Sequence, residues 1–279
     1  MLATLVIFLR EGVEASMIVA ILLAYLNRTG QRRYFKDVLI GVGAAFVLAG
    51  VGGLIAYFTI KTYAGSRVQT IFETATYLVA AVVLTYMTFW MRSHARGLKN
   101  ELQSQVDSAM SRGARMSLGL LSFQAVGREG LETVVFTLAI AFSTTHPAGL
   151  LAGALIGLAI ALGIAIFMYR LGHRINIGRF FTIVGTLLMV FAAGLLVDAV
   201  QNLQELGWLP VAIRPLWHTG SILNEDSAIG DIAHSFFGYA QSPTMLQAVV
   251  YVLYLGCVLF VFFSVRQRIG RRAARSQAN

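Results

Sequence analysis

The chain has 279 residues, of which 57% are hydrophobic and only 13% charged, with a mean hydropathy of +0.71, far from the composition of a water-soluble globular domain. Its net charge of +9 falls in short clusters between apolar runs, a placement that suits an anionic membrane face and argues against nucleic acid as a partner. The single Cys257 excludes an internal disulfide and a thiolate cluster for soft metals.

Seven apolar runs approach the length of about 17 to 25 residues that a helix needs to cross a bilayer. The first, about Leu2 to Leu26, carries the charged motif Arg10-Glu11-Gly12-Val13-Glu14. It lacks a basic leading region and has charges where a signal peptide is apolar, so it is expected to be retained. The second and third run from about Val38 to Phe58 and from Gln69 to Met91. Residues Arg92 to Met116 are polar, with Leu98, Leu102, Val106 and Ala109 at helical spacing, and are expected to form a linking amphipathic helix at the membrane surface. The fourth run, about Ser117 to Phe142, holds a second motif, Arg128-Glu129-Gly130-Leu131-Glu132. The fifth and sixth cover about Pro147 to Tyr169 and Phe180 to Val200. An acidic loop follows from Gln201 to Thr244, with Pro210, Pro215 and Pro243 as helix breakers and Glu205, Glu225, Asp226 and Asp231 as its carboxylates. The seventh run, Met245 to Val265, leads into a basic tail. All runs are expected to be helices, because a helix satisfies its own backbone in lipid and the alternation of a membrane barrel is absent.

Basic residues set the orientation, since positive loops stay on the cytoplasmic side. The first, third and fifth loops and the tail hold 17 of the 22 Lys and Arg residues, whereas the alternate loops hold only Lys61, Arg67 and Arg214. The N-terminus is therefore expected outside and the C-terminus inside. The first run then descends while the fourth ascends, which makes the two motifs antiparallel. The expected fold is an all-α, polytopic seven-helix membrane protein forming one transmembrane domain over residues 1–279. Within it lie an inverted repeat of about 1–91 and 117–200, a cytoplasmic linking helix of about 92–116, an external loop of about 201–244, and a seventh helix and tail of about 245–279.

A charge at the bilayer centre costs at least about 2.5 to 3.5 kcal/mol, so three charges in five residues call for interior partners or a purpose. Positions three and four apart share a helix face, which places Glu11 beside Glu14 with Arg10 in reach, and Glu129 beside Glu132 with Arg128 in reach. Gly12 and Gly130 let another helix approach at that level. If the motifs face each other, four Glu and two Arg leave a formal surplus of negative charge suited to a divalent cation held by carboxylate oxygens. The competing reading is an interhelical clamp of mutually neutralising charges. Glu73 and Asp198, near the outer helix ends, join Glu225, Asp226 and Asp231 of the loop as a possible outer mouth that concentrates cations. His218 and His234 lack metal-ligand spacing and are read as surface residues. Met87 is read as packing, and Trp90 as an interface anchor.

The paired motifs on the first and fourth of seven helices resemble the oxidase-linked iron permease family, part of the iron and lead transporter superfamily, which includes the bacterial EfeU-type ferrous iron permeases. Phe72-Glu73, Phe89-Trp90-Met91-Arg92, Val106-Asp107-Ser108-Ala109, Ala192-Ala193-Gly194-Leu195 and Phe237-Gly238-Tyr239 also look like the bacterial branch. The resemblance implies iron import across the inner (plasma) membrane, with Glu11, Glu14, Glu129 and Glu132 as iron-binding residues and Arg10 and Arg128 as their motif partners. It implies iron ions as transported substrate with no permanently bound cofactor, and a periplasmic iron-binding protein and a haem peroxidase as partners besides membrane lipid. Where some bacterial relatives place a His before a Glu after the sixth helix, this chain has Gln204-Glu205.

The alternatives are a permease for lead or another divalent cation, and a non-transporting membrane receptor or assembly subunit. No zinc-protease pair, nucleophile elbow or phosphate loop supports an enzyme. The orientation predicts that a cysteine introduced near Ser227 reacts with an impermeant thiol reagent from outside while one near Ser104 does not; the reverse pattern would overturn it.

Overall fold

The computed structural model describes the backbone of residues 1–94, 97–111, 113–144, 147–171, 177–220, 223–224 and 227–276. Among these residues the chain is helical, apart from turns and a lone antiparallel bridge between Pro215 and Thr244. The helices are α1 (Leu2–Arg28), α2 (Phe35–Thr62), α3 (Arg67–His94), α4 (Leu98–Ser111), α5 (Ala114–Ser143), α6 (Pro147–Leu171), α7 (Ile177–Glu205), α8 (Ala228–Phe237) and α9 (Met245–Ser276), with a short 3-10 turn at Arg32–Tyr34. Each expected run becomes a helix that extends a few residues beyond its apolar stretch.

Five segments, Arg32–Thr62, Arg67–Met91, Ala148–Phe167, Phe180–Glu205 and Met245–Ser264, are long and apolar enough to cross a membrane. Helices α1 and α5, at 27 and 30 residues, extend for roughly 40 to 45 Å, and these two carry the charged motifs. Large apolar side chains cover the outside of the bundle, among them Ile40, Val47, Ile55, Leu155 and Phe260. A surface of this kind is stable against lipid rather than water.

The principal pairings are α1 with α6, α2 with α5, and α3 with α7; α9 lies along α7, and α4 lies against α5 and α1. Small residues make the first two possible. Gly149, Gly153, Gly157 and Ala161 recur every fourth residue on α6, and Gly41, Ala45, Ala49 and Gly53 do so on α2, giving each helix one smooth stripe. A Cβ on Gly157 would lie 2.5 Å from the Leu5 carbonyl oxygen and 3.0 Å from the Leu9 nitrogen, and one on Gly41 would collide with the Gly119 carbonyl of α5. Within the motifs, Gly12 meets Ala161 and Gly130 meets Ala49, at 2.7 and 2.9 Å for the same test.

Two apolar clusters fill the interior. One gathers Ala3, Val6 and Ile7 of α1 with Phe136, Ala139 and Ile140 of α5, together with residues of α3, α7 and Phe236 of α8. The other gathers Ile18, Leu22 and Leu26 of α1 with Leu118 and Val126 of α5 and with Val38 and Ala45 of α2. The early part of α1 meets the late part of α5, and the late part meets the early part, so the two helices are antiparallel. Both charged motifs fall in the layer between the clusters.

Helix α4 follows its expected apolar pattern, since Leu102, Val106 and Ala109 are buried, but that face joins the second cluster instead of resting on lipid. The Tyr25 hydroxyl donates to Asp107 at 2.7 Å and ties α4 to α1. The loop after α7, expected to be irregular, contains α8. Ser227 caps it by accepting from the Gly230 N–H, and Gly238 ends it in the left-handed conformation at φ 66°, against Gly194 of α7.

Replacing Gly157 with Leu forces α1 and α6 apart against backbone atoms that have no rotamer to yield, and overpacking of this kind costs about 1 to 3 kcal/mol. The Gly157→Leu protein should show a clearly lower melting temperature in detergent, whereas Gly163→Ala, with nothing within 4 Å of the added carbon, should not. Equal melting of the two would contradict the packing described.

Candidate functional site

On α1, Arg10, Glu11 and Glu14 are all buried, Arg10 to 2% exposure. The Arg10 guanidinium donates through Nη1 to Glu11 Oε1 at 2.5 Å, and its Nε lies 3.2 Å from Glu14 Oε1. The helix geometry that sets residues three and four apart on one face produces this fork, and burial makes it necessary, because an unpaired guanidinium would be far more costly there. From α5, Glu129 reaches the same place. Carboxylate oxygens of Glu11, Glu14 and Glu129 all lie within 4.8 Å of one another. Glu132 stands one turn further along α5 and holds Arg128, whose Nε donates to Glu132 Oε1 at 3.0 Å.

The set is not closed on itself. Glu11 Oε2, Glu129 Oε2, Glu132 Oε2 and Arg10 Nη2 are buried without a hydrogen-bond partner within the protein, while Glu14 Oε1 has the ion pair with Arg10. Buried carboxylate oxygens without partners carry a large penalty unless something positive meets them. Oxygens bound at 2.0 to 2.6 Å to one metal ion are at most about 5 Å apart, so the group of three has the dimensions of a coordination shell. Three carboxylates and one guanidinium carry a formal charge of −2, the complement of one divalent cation.

The two arginines differ. Arg128 has a side-chain exposure of 42%; its guanidinium lies over the Trp90 ring at 4.6 Å and its Nη2 donates to Met87 Sδ at 3.0 Å. Trp90 and Met87 of α3 therefore position a motif residue, roles that the sequence reading as interface anchor and packing residue did not contain. Beside Arg128 a cavity of about 290 Å³ reaches from Glu14 and Glu129 to Glu101 and Gln105 of α4.

Of the expected outer-mouth residues, three lie on helices α3, α7 and α8. Glu73 on α3 accepts from Gln69 Nε2 at 2.7 Å. Asp198 on α7 is buried, with Oδ1 3.7 Å from His234 Nε2. His234, read as a surface residue, is thus turned inward, and its Nδ1 lies 2.8 Å from the Tyr239 carbonyl oxygen; His218 does remain exposed, beside Ser242. Asp231 is buried at the base of α8, accepting from the Thr144 hydroxyl at 2.8 and 3.0 Å. It fastens α8 to the end of α5. Glu225 and Asp226 lie outside the described residues.

Removing Arg10 leaves Glu11 and Glu14 as uncompensated buried charges, a change that costs about 3 to 5 kcal/mol in comparable buried pairs. The Arg10→Met protein should unfold at markedly lower temperature in detergent, and the double variant with Glu11→Gln should recover a measurable part of the loss; strict additivity of the two would show that the pair is not coupled.

Comparison with known proteins adds an independent line. Residues 1–273 match the family described as iron permease FTR1. The ferrous iron permease EfeU of Shigella sonnei (strain Ss046) is 34% identical over 278 residues, covering 99% of this chain and all of that protein. Its namesake in Yersinia pestis is 33% identical over 265 residues, covering 94% of this chain and 93% of its own. No solved structure matches.

Proposed function

The chain belongs to the iron permease FTR1 family, and from that premise we propose that it imports ferrous iron through the carboxylate group formed by Glu11, Glu14 and Glu129, with Glu132 and the two motif arginines completing the site. The observation that carries the reading is the set of buried carboxylate oxygens brought within 4.8 Å of one another from two antiparallel helices. Iron is the cargo, and no resident cofactor is needed. The ion exchanges its water shell for carboxylate oxygens, while Arg10 holds two of the carboxylates apart from each other and limits the local charge. Oxygen donors discriminate weakly among divalent ions, so the preference for iron rests on the relatives, each of which bears the name ferrous iron permease.

We place this machinery in a seven-span bundle in the inner membrane, N-terminus outside and C-terminus inside, built as an inverted repeat of α1 to α3 and α5 to α7. Three observations support the repeat. The pairing of α1 with α6 has its counterpart in that of α5 with α2, and α3 pairs with α7, as a two-fold axis in the membrane plane requires. The motif glycines meet an alanine on each side, Ala161 and Ala49. The two motif helices are antiparallel, as their cluster membership demands. Glu73 and Asp198 at the outer helix ends supply negative potential where the ion arrives, with Glu225 and Asp226 as further carboxylates of the connection, whereas Asp231 serves to fasten α8. A periplasmic iron-binding protein and a haem peroxidase are the partners that fit this placement.

Uptake of radiolabelled ferrous iron into proteoliposomes tests the site. Gln keeps the size of Glu and removes its charge, so Glu11→Gln, Glu14→Gln and Glu129→Gln should each lower the initial rate at least about tenfold, the loss expected from about 1.4 kcal/mol or more of missing ion interaction. Glu132→Gln, one turn away, should lower it less. Normal transport by all four variants, inserted and monodisperse, would refute the site.

A further inference from the structure

The two motifs share a sequence but not a conformation. Arg10 is sealed in, bridging Glu11 and Glu14. Arg128 keeps only Glu132 and otherwise rests on α3, over Trp90 and against Met87. Because α1 and α5 are antiparallel and each arginine precedes its second glutamate by one turn, the guanidinium groups bracket the carboxylates from opposite sides. The cavity lies on the Arg128 side, where Glu14 and Glu129 form its deep end, Arg128 and Trp90 part of its wall, and Glu101 and Gln105 of α4 its far end. On the Arg10 side the space is taken by the apolar cluster of Val6, Ile7, Phe136 and Ile140, with Phe236 of α8 stacked on Phe191 above it.

We propose that Arg128 is the gate of the α4-side path, that its rest on Trp90 and Met87 is the open position, and that the cavity is the route by which a divalent cation leaves Glu14 and Glu129. This rests on the reading of the glutamates as the cation site. A fixed positive charge across a narrow path is a barrier to cations, and Arg10 displays what the closed position is: a guanidinium drawn over its own two carboxylates. Arg128 has the same two carboxylates within its motif, Glu129 and Glu132, and only its stand on α3 keeps it from folding over both. The aromatic face and the thioether sulfur hold the guanidinium without cancelling its charge, so the alternative position stays within reach. In the described conformation the Arg10 gate is closed and the Arg128 gate is open, a cation-releasing arrangement toward α4.

The test uses purified full-length protein loaded with ferrous iron, and measures both affinity and the rate at which excess chelator strips the metal. Trp90→Ala removes the stand, shifts Arg128 toward the closed position, and should slow stripping about three- to fivefold, the scale of a lost cation–π contact. Trp90→Phe keeps an aromatic face and should restore most of the rate. Met87→Leu, which keeps the packing and removes the sulfur acceptor, should act in the same direction as Trp90→Ala and serves if that variant does not fold. Unchanged stripping in both Trp90→Ala and Met87→Leu overturns the gate. The site reading fails on a different result, an unchanged affinity in Glu14→Gln.

Discussion

A layer of buried charge between two apolar clusters is the constraint from which the rest of the structure follows. Arg10, Glu11, Glu14 and Glu129 are all buried, where each ion alone would carry a penalty of several kcal/mol. They tolerate burial because the antiparallel arrangement of α1 and α5 delivers acid from both helices and a base from one to a single level. The clusters pack on either side of that level, and a cavity runs from it toward α4. Low local polarity strengthens the attraction of the carboxylates for a cation as much as it raises the penalty for leaving them unfilled. Under the proposed function, stability and transport pull against each other in the same few residues.

Holding that layer together falls to small residues. Lipid offers helices little hydrophobic reason to associate, so close backbone contact has to supply the attraction. The stripes of Gly and Ala on α2 and α6 provide it where the motif helices pass, and the contacts of Gly12 with Ala161 and Gly130 with Ala49 put the closest approaches at the level of the charges. The helices that bear the glutamates are consequently fixed by neighbours that contribute no charge of their own.

Much of this was legible in the chain. The helices could be read because span length and apolarity act locally, and the pairing of Glu11 with Glu14 because helical spacing is a local rule. The two stripes of small residues were also legible at a spacing of four, yet only the motif glycines drew notice. What could not be read depends on contacts distant in sequence. Nothing near Trp90 announces that Arg128 will lie on it, and nothing near His234 announces Asp198. Helix α8 was hidden by its proline-bounded loop, although Ser227 as a cap and Gly238 as a terminator were both visible. The linking helix was legible in its apolar face but not in what covers it, because Leu102, Val106 and Ala109 look the same whether they face lipid or Leu22 and Leu118.

The exchange of partners between the halves bears on how the molecule is made. Helix α1 leaves the ribosome first with three charges in its middle, but the helix it packs against, α6, begins only at Pro147. At about 5 to 20 residues per second, several seconds of synthesis separate the two, and Glu129 arrives only shortly before α6. During that interval Arg10 is the counter-charge for Glu11 and Glu14 that travels on the same turn of the same helix. The arginine of the motif thus offsets part of the acid on its own helix before the rest of the bundle exists, and a nascent chain cut before α6 would strand the first motif without the surface that shelters it.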